Sequence, residues 1–171
     1  VTANPVLVDV LRNRQEHPMV RHEAAEALGA IGSPESLQIL QEFALDPVVE
    51  VQETCQLALE RIKWLNDSKT SDLTSNPYKS VDPAPSTEPK SVAELKETLL
   101  DHKQSLFNRY RAMFSLRNLR TPEATKALGA GLKCPSSALF RHEVAFVLGQ
   151  LQDVAGVPFL IESLEDEGEN E

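Results

Sequence analysis

The sequence predicts an all-α protein, a helical-repeat solenoid in two halves joined by a Pro- and Ser-rich linker. Three observations predict this class. Apolar residues recur at helical spacing without a convincing strand pattern, Pro and Gly mark short turns between the segments, and two stretches of the chain repeat each other. With 171 residues, of which 41% are hydrophobic and 25% charged, the chain suits one domain or two small repeat arrays.

Short turns divide the sequence into helices. Proline in the first turn of a helix costs no hydrogen bond, so several helix starts are marked by proline. The predicted helices cover residues 5–13, 18–31, 34–44, 47–65, 92–100, 106–119, 122–132, 137–151 and 155–164.

Internal repeats are the most informative feature. Residues 21–29 read RHEAAEALG and residues 141–149 read RHEVAFVLG, which places the two copies 120 positions apart. Within each half, a shorter offset of 31 or 32 residues aligns the apolar positions. The turn at Asp46-Pro47, followed by an apolar stripe over residues 51–59, resembles a HEAT repeat. We therefore predict a HEAT-like solenoid.

A change of composition separates the two halves. Residues 66–90 hold several prolines and many Ser and Thr residues, which predicts an extended linker. The predicted organisation is HEAT-like repeats over residues 1–65, the linker over 66–90, further HEAT-like repeats over 91–164, and an acidic tail over 165–171.

Both copies of the nine-residue motif are predicted to bury one face of a helix. At about 100° per residue, the apolar positions fall within one arc. The residues expected to be buried are Val20, Ala24, Ala27, Leu28 and Ile31 in the first copy, and Phe140, Val144, Val147, Leu148 and Leu151 in the second. Those expected to face outward are His22, Glu23, Glu26, Gly29, His142, Glu143, Phe146 and Gly149.

Each motif copy places a histidine directly before a glutamate, as His22-Glu23 and His142-Glu143. Adjacent helical residues project about 100° apart, so an imidazole nitrogen and a carboxylate can contact one ion from one side. Two such pairs give mixed nitrogen and oxygen ligands, which favour iron or manganese, with zinc as a weaker alternative. Bridging carboxylates also serve di-iron centres in helical proteins.

A His-Glu pair on a helix is equally typical of a solvated surface, and a duplication copies surface residues too. The spacing alone leaves both interpretations open. The neighbouring repeats carry Glu53-Thr54 and Tyr110-Arg111 at the aligned positions, so the pair is not common to every repeat. That selectivity favours a function for the two pairs.

The charge balance excludes some classes of partner. The chain has 17 Lys and Arg against 26 Asp and Glu, a net charge of −9. We expect no nucleic-acid partner, since one requires a basic face, and the charge favours a basic protein partner. No apolar run approaches the roughly 20 residues that span a bilayer. Cys55 and Cys134 are too few for a disulfide framework and predict reduced thiols in an intracellular protein.

Five segments carry a family pattern. They are HPMVRHEAAEALG at 17–29, DPVVEVQETCQLA at 46–58, NPYKSVDPAP at 76–85, RYRAMF at 109–114 and ALFRHEVAFVLGQ at 138–150. Together they resemble the deoxyhypusine hydroxylase family, and the similarity extends over essentially the whole chain. Agreement within the linker is specific, because linkers seldom agree by chance.

The resemblance implies a HEAT-repeat mono-oxygenase with two Fe²⁺ ions and O₂ as co-substrate. Such an enzyme hydroxylates the deoxyhypusine residue of the hypusine-containing eukaryotic translation factor, which completes hypusine, and acts in the cytoplasm. His22, Glu23, His142 and Glu143 match the family's iron ligands. Glu26, one turn beyond His22, is predicted to hold the substrate amine. No catalytic residue is expected beyond the metal site.

The sequence departs from the family pattern in its number of His-Glu pairs, and three interpretations of this departure are open. The family has four His-Glu pairs, and this chain matches the second and the third. It also opens at Val1 without an initiator Met or a signal-peptide pattern. We interpret it as a shortened form, expected to be a monomer and without activity if the missing ligands are essential. The alternatives are a non-catalytic HEAT-like scaffold that binds a protein, and a metal-dependent dimer in which two chains complete four pairs.

Overall fold

The computed structural model describes residues 3–67 and 73–169, and every regular element in these ranges is helical. The predicted all-α class is therefore confirmed. The helices are α1 (Asn4–Arg12), α2 (Pro18–Ile31), α3 (Leu37–Phe43), α4 (Val49–Asp67), α5 (Val92–Leu100), α6 (Leu106–Leu119), α7 (Pro122–Gly129), α8 (Ala138–Leu151) and α9 (Val157–Leu164). None of the helices in these ranges is both long and apolar enough to cross a membrane.

The helix boundaries follow the predicted ones closely. The predicted and observed bounds of α2, α5 and α6 agree, and those of α1, α4 and α8 differ by one or two residues. The remaining differences arise from single 3₁₀ turns, a common feature of helix ends. These turns are Pro34–Ser36 before α3, Ala130–Lys133 after α7 and Val154–Gly156 before α9.

Local chemistry explains where several helices begin and end. Four hydroxyl side chains precede a helix and each accepts a hydrogen bond from a backbone N–H in its first turn. They are Ser91, Ser105, Thr121 and Ser137. At the other end of α2, Gly32 adopts a left-handed φ of 71°, which glycine tolerates because it has no Cβ atom.

The described residues form two compact units. The first contains residues 3–67 with 81–84, and the second contains residues 73–80 with 85–169. In the first unit α1 packs against α2, α3 packs against α4, and α2 packs extensively on α4. In the second unit α5 pairs with α6 and α7 with α8. Pairs of consecutive helices that stack on the next pair are the arrangement of a helical repeat.

The contact between α2 and α4 is close at Gly29. A Cβ atom on Gly29 would lie 2.7 Å from the Cβ atom of Ala58, so this approach requires glycine. Arg61 of α4 reinforces the contact, since its Nη1 donates to the carbonyl oxygens of Gly29 at 2.6 Å and Ala30 at 3.3 Å. These carbonyls lie near the C-terminus of α2, where a positive charge is favourable.

The predicted division of α2 into a buried and an exposed face is wrong in part. Ala24 is buried as predicted, but Val20 and Ile31 are 44% and 37% exposed. His22 and Gly29, predicted to face outward, are buried. The wheel assumes one buried stripe, whereas α2 contacts α1 on one side and α4 on another and buries residues against both.

For α8 the same prediction is confirmed. Among the residues expected inside, all are buried except Leu151, which is half-buried; the buried ones are Phe140, Val144, Val147 and Leu148. His142, Phe146 and Gly149 are exposed as predicted. The two copies of the motif therefore occupy different environments in this structure.

The core of the second unit contains an aromatic cluster. The Tyr110 ring meets Phe114 and Phe140 edge-on, with ring centroids 6.2 Å and 5.8 Å apart respectively. Met113 lies fully buried beside them on α6. Edge-on geometry is favourable for aromatic pairs. These side chains pack the core.

The segment between α4 and α5 is extended and tied to helices by side chains. Nε of Arg61 donates to the Asp82 carbonyl at 3.1 Å in the first unit. The Thr87 N–H donates to Oγ of Ser115 at 2.8 Å in the second. Residues 68–72 of the predicted linker lie outside the described residues.

The described part of the acidic tail is held against α8. The Glu169 carboxylate accepts two hydrogen bonds from Nε of Arg141, at 2.9 Å and 2.7 Å. Nη1 of Arg141 also donates to the Cys134 carbonyl at 2.7 Å. Residues 170–171 of the tail lie outside the described residues.

A buried arginine anchors three segments of the first unit. Nε of Arg21 donates to the Leu11 carbonyl at 3.0 Å, at the end of α1. Its guanidinium also binds both carboxylate oxygens of Asp46, at 3.3 Å and 2.5 Å. Burial alone would raise the pKa of Asp46, but hydrogen bonds from Arg21 and from the Val48 N–H, with the charge of Arg21, lower it below its usual value.

The two motif glycines give a matched test of the packing between α2 and α4. We expect Gly29→Ala to destabilise the chain by about 1–3 kcal/mol, because the added methyl meets Ala58. Gly149→Ala should be neutral or stabilise by up to about 1 kcal/mol, because no described atom beyond the neighbouring backbone of its own helix lies within 4 Å of its Cβ position and alanine favours a helix. Urea unfolding followed by circular dichroism measures both. Equal effects of the two substitutions would contradict this packing.

The Arg21–Asp46 pair should be far more important for stability than an exposed pair. We expect Asp46→Asn to cost about 3–5 kcal/mol at neutral pH, because it leaves a buried guanidinium without its carboxylate. Glu162→Gln is the matched control, since Glu162 pairs with Lys133 on the surface, and it should cost less than about 1 kcal/mol. Unfolding midpoints in urea compare the two variants.

The Arg21–Asp46 pair makes the stability of the folded chain depend on pH. The pKa of Asp46 is lower in the folded chain than in the unfolded chain, so its stabilising contribution is complete above the unfolded value of about 4. The contribution is lost as the pH falls through the lower folded value. The difference in stability between wild type and Asp46→Asn should therefore shrink on acidification. A constant difference from neutral pH to below about pH 3 would contradict the lowered pKa.

Candidate metal centre

The first His-Glu pair lies on α2, in the first unit. The His22 side chain is 5% exposed and the Glu23 side chain 69% exposed. Nε2 of His22 lies 3.8 Å from Oε1 of Glu23. On the other side of the ring, Nδ1 of His22 lies 2.6 Å from Oγ1 of Thr54 on α4. The pair thus combines a buried imidazole with a solvent-accessible carboxylate.

The hydrogen bonds of Thr54 assign a tautomer to His22. Oγ1 of Thr54 donates its hydrogen to the Glu50 carbonyl, one turn back in α4, at 2.8 Å. With its hydrogen on that carbonyl, the same oxygen accepts from Nδ1 of His22, which then carries the ring hydrogen. In a neutral imidazole the other nitrogen, Nε2, then has a lone pair. This nitrogen is the one near Glu23.

The donor atoms of this pair suit a metal ion. Bonds from an ion to an imidazole nitrogen or a carboxylate oxygen are about 2.0–2.2 Å long, so two donors 3.8 Å apart can contact the same ion. A histidine ligand usually donates its second ring N–H to an oxygen acceptor, as Nδ1 of His22 does to Thr54. The neutral nitrogen and the carboxylate oxygen are also donor types found in non-haem iron sites.

Glu26 lies one turn beyond His22 and is half-buried. Burial, followed by the negative charges of Glu23 and Asp82, raises the pKa of Glu26 above its usual value. These carboxylates form a region of negative potential within the first unit. A cation bound there would relieve their mutual repulsion.

The second pair lies on α8, in the second unit, and is more accessible. His142 is exposed and Glu143 is half-buried. Phe146, which occupies the position of Glu26 in the second motif copy, is 55% exposed. The second pair therefore has a partly apolar surrounding where the first has an acidic one.

The structure presents the two predicted pairs in separate units. His22 and Glu23 belong to the first unit, and His142 and Glu143 to the second. Within residues 3–67 and 73–169, no group of three or more His, Cys, Asp or Glu side chains is arranged to hold an ion.

Sequence reasoning missed two residues that support the first pair. Thr54 fixes the orientation of His22, and Asp46 binds Arg21, the residue before it. The offset of 31 residues places residue 54 at the position of Glu23 on the neighbouring stacked helix, next to the equivalent of His22, so the repeat alignment held a signal for Thr54. In the sequence, the aligned pair Glu53-Thr54 showed only that this repeat lacks a His-Glu pair. It did not show that Thr54 contacts His22.

Comparison with family models supports the repeat class. The model for HEAT repeats matches residues 2–60. The model for the PBS lyase HEAT-like repeat matches residues 109–134 and 140–166. The matched ranges contain α1 to most of α4, and then most of α6, all of α7, most of α8 and all of α9. The chain is thus a HEAT-like helical-repeat protein that carries His-Glu pairs on two of its helices.

Relatives and a solved structure narrow the class further. Deoxyhypusine hydroxylase of Drosophila melanogaster is 62% identical over 97% of this chain, and that of Homo sapiens is 57% identical over 95%. The solved structure of human deoxyhypusine hydroxylase in complex with glycerol superimposes with a TM-score of 0.92, at 56% identity over 99% of this chain.

The chain belongs to the deoxyhypusine hydroxylase family, as the resemblance of its motifs predicts. It spans about half the length of the curated relatives it matches, 55% of the Drosophila melanogaster protein and 53% of the human one. It covers 58% of the chain in the solved human structure.

Proposed function

We propose that this chain forms part of a deoxyhypusine monooxygenase. In this proposal His22, Glu23, His142 and Glu143 hold two Fe²⁺ ions. The enzyme uses O₂ to hydroxylate the deoxyhypusine residue of the hypusine-containing translation factor, which completes hypusine. The observation that carries the proposal is the geometry of the first pair, with Nδ1 of His22 hydrogen-bonded to Thr54 and Nε2 near the Glu23 carboxylate.

The chain's own residues hold and orient the metal ligands. Thr54 and the packing of α2 on α4 keep the His22 ring in one orientation, and burial keeps water from its Nδ1 side. The Glu23 carboxylate faces solvent, where an ion can enter. Iron, when bound, supplies the activation of O₂ for insertion of an oxygen atom into a C–H bond.

The charge of the chain suits a cationic substrate. Deoxyhypusine carries a basic side chain, and a net charge of −9 favours encounter with a basic protein surface. Glu26 is the residue we propose for the substrate amine. Its pKa is raised by burial and by Glu23 and Asp82, so an amine nearby would stabilise its ionised form. We place the reaction in the cytoplasm, where translation factors act, and expect a monomer.

Iron content is the first test of the proposal. We expect the chain, purified after anaerobic loading with Fe²⁺, to hold iron that His22→Ala or His142→Ala removes wholly or in large part, because each substitution deletes a nitrogen ligand. His102→Ala is the matched control, since His102 is an exposed histidine outside both pairs. Elemental analysis gives iron per chain, and human deoxyhypusine hydroxylase is the positive control.

Two outcomes would contradict the proposal. If the human enzyme holds iron and this chain holds none, a non-catalytic HEAT-like scaffold is the better interpretation. If iron is bound but both histidine variants and His102→Ala retain it equally, the ligands lie elsewhere. Size-exclusion chromatography with and without a chelator examines the metal-dependent dimer, which predicts a smaller species once the metal is removed.

A further inference from the structure

The inference starts from a buried contact between two helices of the first unit. Thr54 is 3% exposed and His22 is 4% exposed. Their side chains meet at 2.6 Å between Oγ1 and Nδ1, a short hydrogen bond. Both atoms are removed from water, so a lost partner would leave a buried polar atom unsatisfied, at a cost in stability.

The hydroxyl of Thr54 has a backbone acceptor within its own helix. Oγ1 donates to the Glu50 carbonyl at 2.8 Å, a bond to the residue four positions back in the same helix. A hydroxyl has one hydrogen and two lone pairs. With its hydrogen on the Glu50 carbonyl, it acts as an acceptor towards His22, and this arrangement favours the imidazole tautomer with hydrogen on Nδ1.

We propose that Thr54 is a positioning residue for the metal site: it holds His22 in the tautomer that directs the Nε2 lone pair to the side of Glu23. This inference rests on the proposed function, in which His22 binds iron. Thr54 touches neither metal nor substrate in this assignment. It acts through His22, by fixing both the rotation of the ring and the position of its hydrogen.

The repeat architecture explains why a threonine supplies this contact. Thr54 occupies on α4 the position that Glu23 occupies on α2, 31 residues earlier, one residue beyond the equivalent of His22. Stacked helices bring equivalent positions of adjacent repeats together. The repeat without a His-Glu pair thus provides the oxygen acceptor for the repeat that has one. A β-branched threonine also has few rotamers in a helix, which fixes its oxygen.

Three variants separate the hydrogen bond from packing. Thr54→Val keeps the shape of the side chain but removes the acceptor. Thr54→Ser keeps the hydroxyl. Thr98→Val is the matched control, because Thr98 makes the same bond to the carbonyl four residues back, Glu94 at 3.0 Å, but is only half-buried on α5, where this bond is exposed. Circular dichroism and urea midpoints establish that each variant folds.

The tautomer of His22 is read first, in the metal-free chain. Long-range ¹H–¹⁵N correlation spectra at about pH 8, above the usual histidine pKa of about 6.5, distinguish hydrogen on Nδ1 from hydrogen on Nε2. We expect hydrogen on Nδ1 in wild type, Thr54→Ser and Thr98→Val. In Thr54→Val we expect the Nε2–H form to become the major one. An Nε2–H tautomer in wild type, or an unchanged tautomer in Thr54→Val, would overturn the proposal.

Metal affinity is read second, by anaerobic titration with Fe²⁺ alone. We expect Thr54→Val to weaken binding about 10–100-fold, in line with the loss of an outer hydrogen-bond partner, and Thr54→Ser to remain within a few-fold of wild type. An unchanged affinity in Thr54→Val would overturn the positioning role.

The two readouts keep this inference distinct from the proposed function. If wild type binds no Fe²⁺, or His22→Ala binds it as wild type does, the proposed function and the positioning role both fail, while the spectra still report the hydrogen bond. If His22→Ala loses the metal but Thr54→Val does not, the proposed function stands and only the role of Thr54 fails.

Discussion

The packing of α2 on α4 determines both the fold of the first unit and the environment of its His-Glu pair. Gly29 allows the two helices to approach so closely that a methyl group at this position would collide with Ala58. This approach also brings Thr54 within hydrogen-bond distance of His22. A histidine that would otherwise be solvated is thereby buried with a fixed ring, whereas Glu23 beside it stays exposed.

Much of the fold could be predicted from the sequence because its signals are local. Proline at helix starts and apolar spacing within helices gave the bounds of α2, α5 and α6 to the residue. What the sequence could not supply is the number of neighbours of each helix. One helical wheel predicts α8 correctly but α2 only in part, because His22 and Gly29 are buried by α4, a partner that periodicity within α2 does not reveal.

The candidate metal site, too, could be predicted from the sequence only in part. The sequence identifies the pairs through repetition and family resemblance, but both copies read alike as outward-facing. In the structure the first pair has a buried histidine and an acidic neighbour, Glu26, while the second has an exposed His142 next to Phe146. Repetition therefore predicts which residue types recur, whereas tertiary contacts determine which copy of the histidine is held in a fixed orientation.

The buried arginine of the first unit, Arg21, has a counterpart in the second unit at an equivalent position but with a different partner. In the second unit, Nε of Arg109 donates to the Leu99 carbonyl at 2.9 Å and Nη2 contacts Sγ of Cys134 at 3.3 Å. Each of these three residues stands 88 positions after its counterpart in the first unit, so a thiol occupies the position of Asp46. Counting cysteines could not have revealed this role for Cys134.

The pKa values of Cys55 and Cys134 are shifted in opposite directions, because Cys134 accepts a hydrogen bond from Arg109. Burial, followed by the negative charge of Asp46, raises the pKa of Cys55, which lies in the apolar core, to about 12. Burial would also raise the pKa of Cys134, but hydrogen bonds from Arg109 and Ser136, with the charge of Arg109, lower it below its usual value. A lower pKa favours the thiolate form of Cys134, and an anion is the partner that a guanidinium prefers. The repeat therefore retains a partner for its buried arginine while the residue that provides it changes.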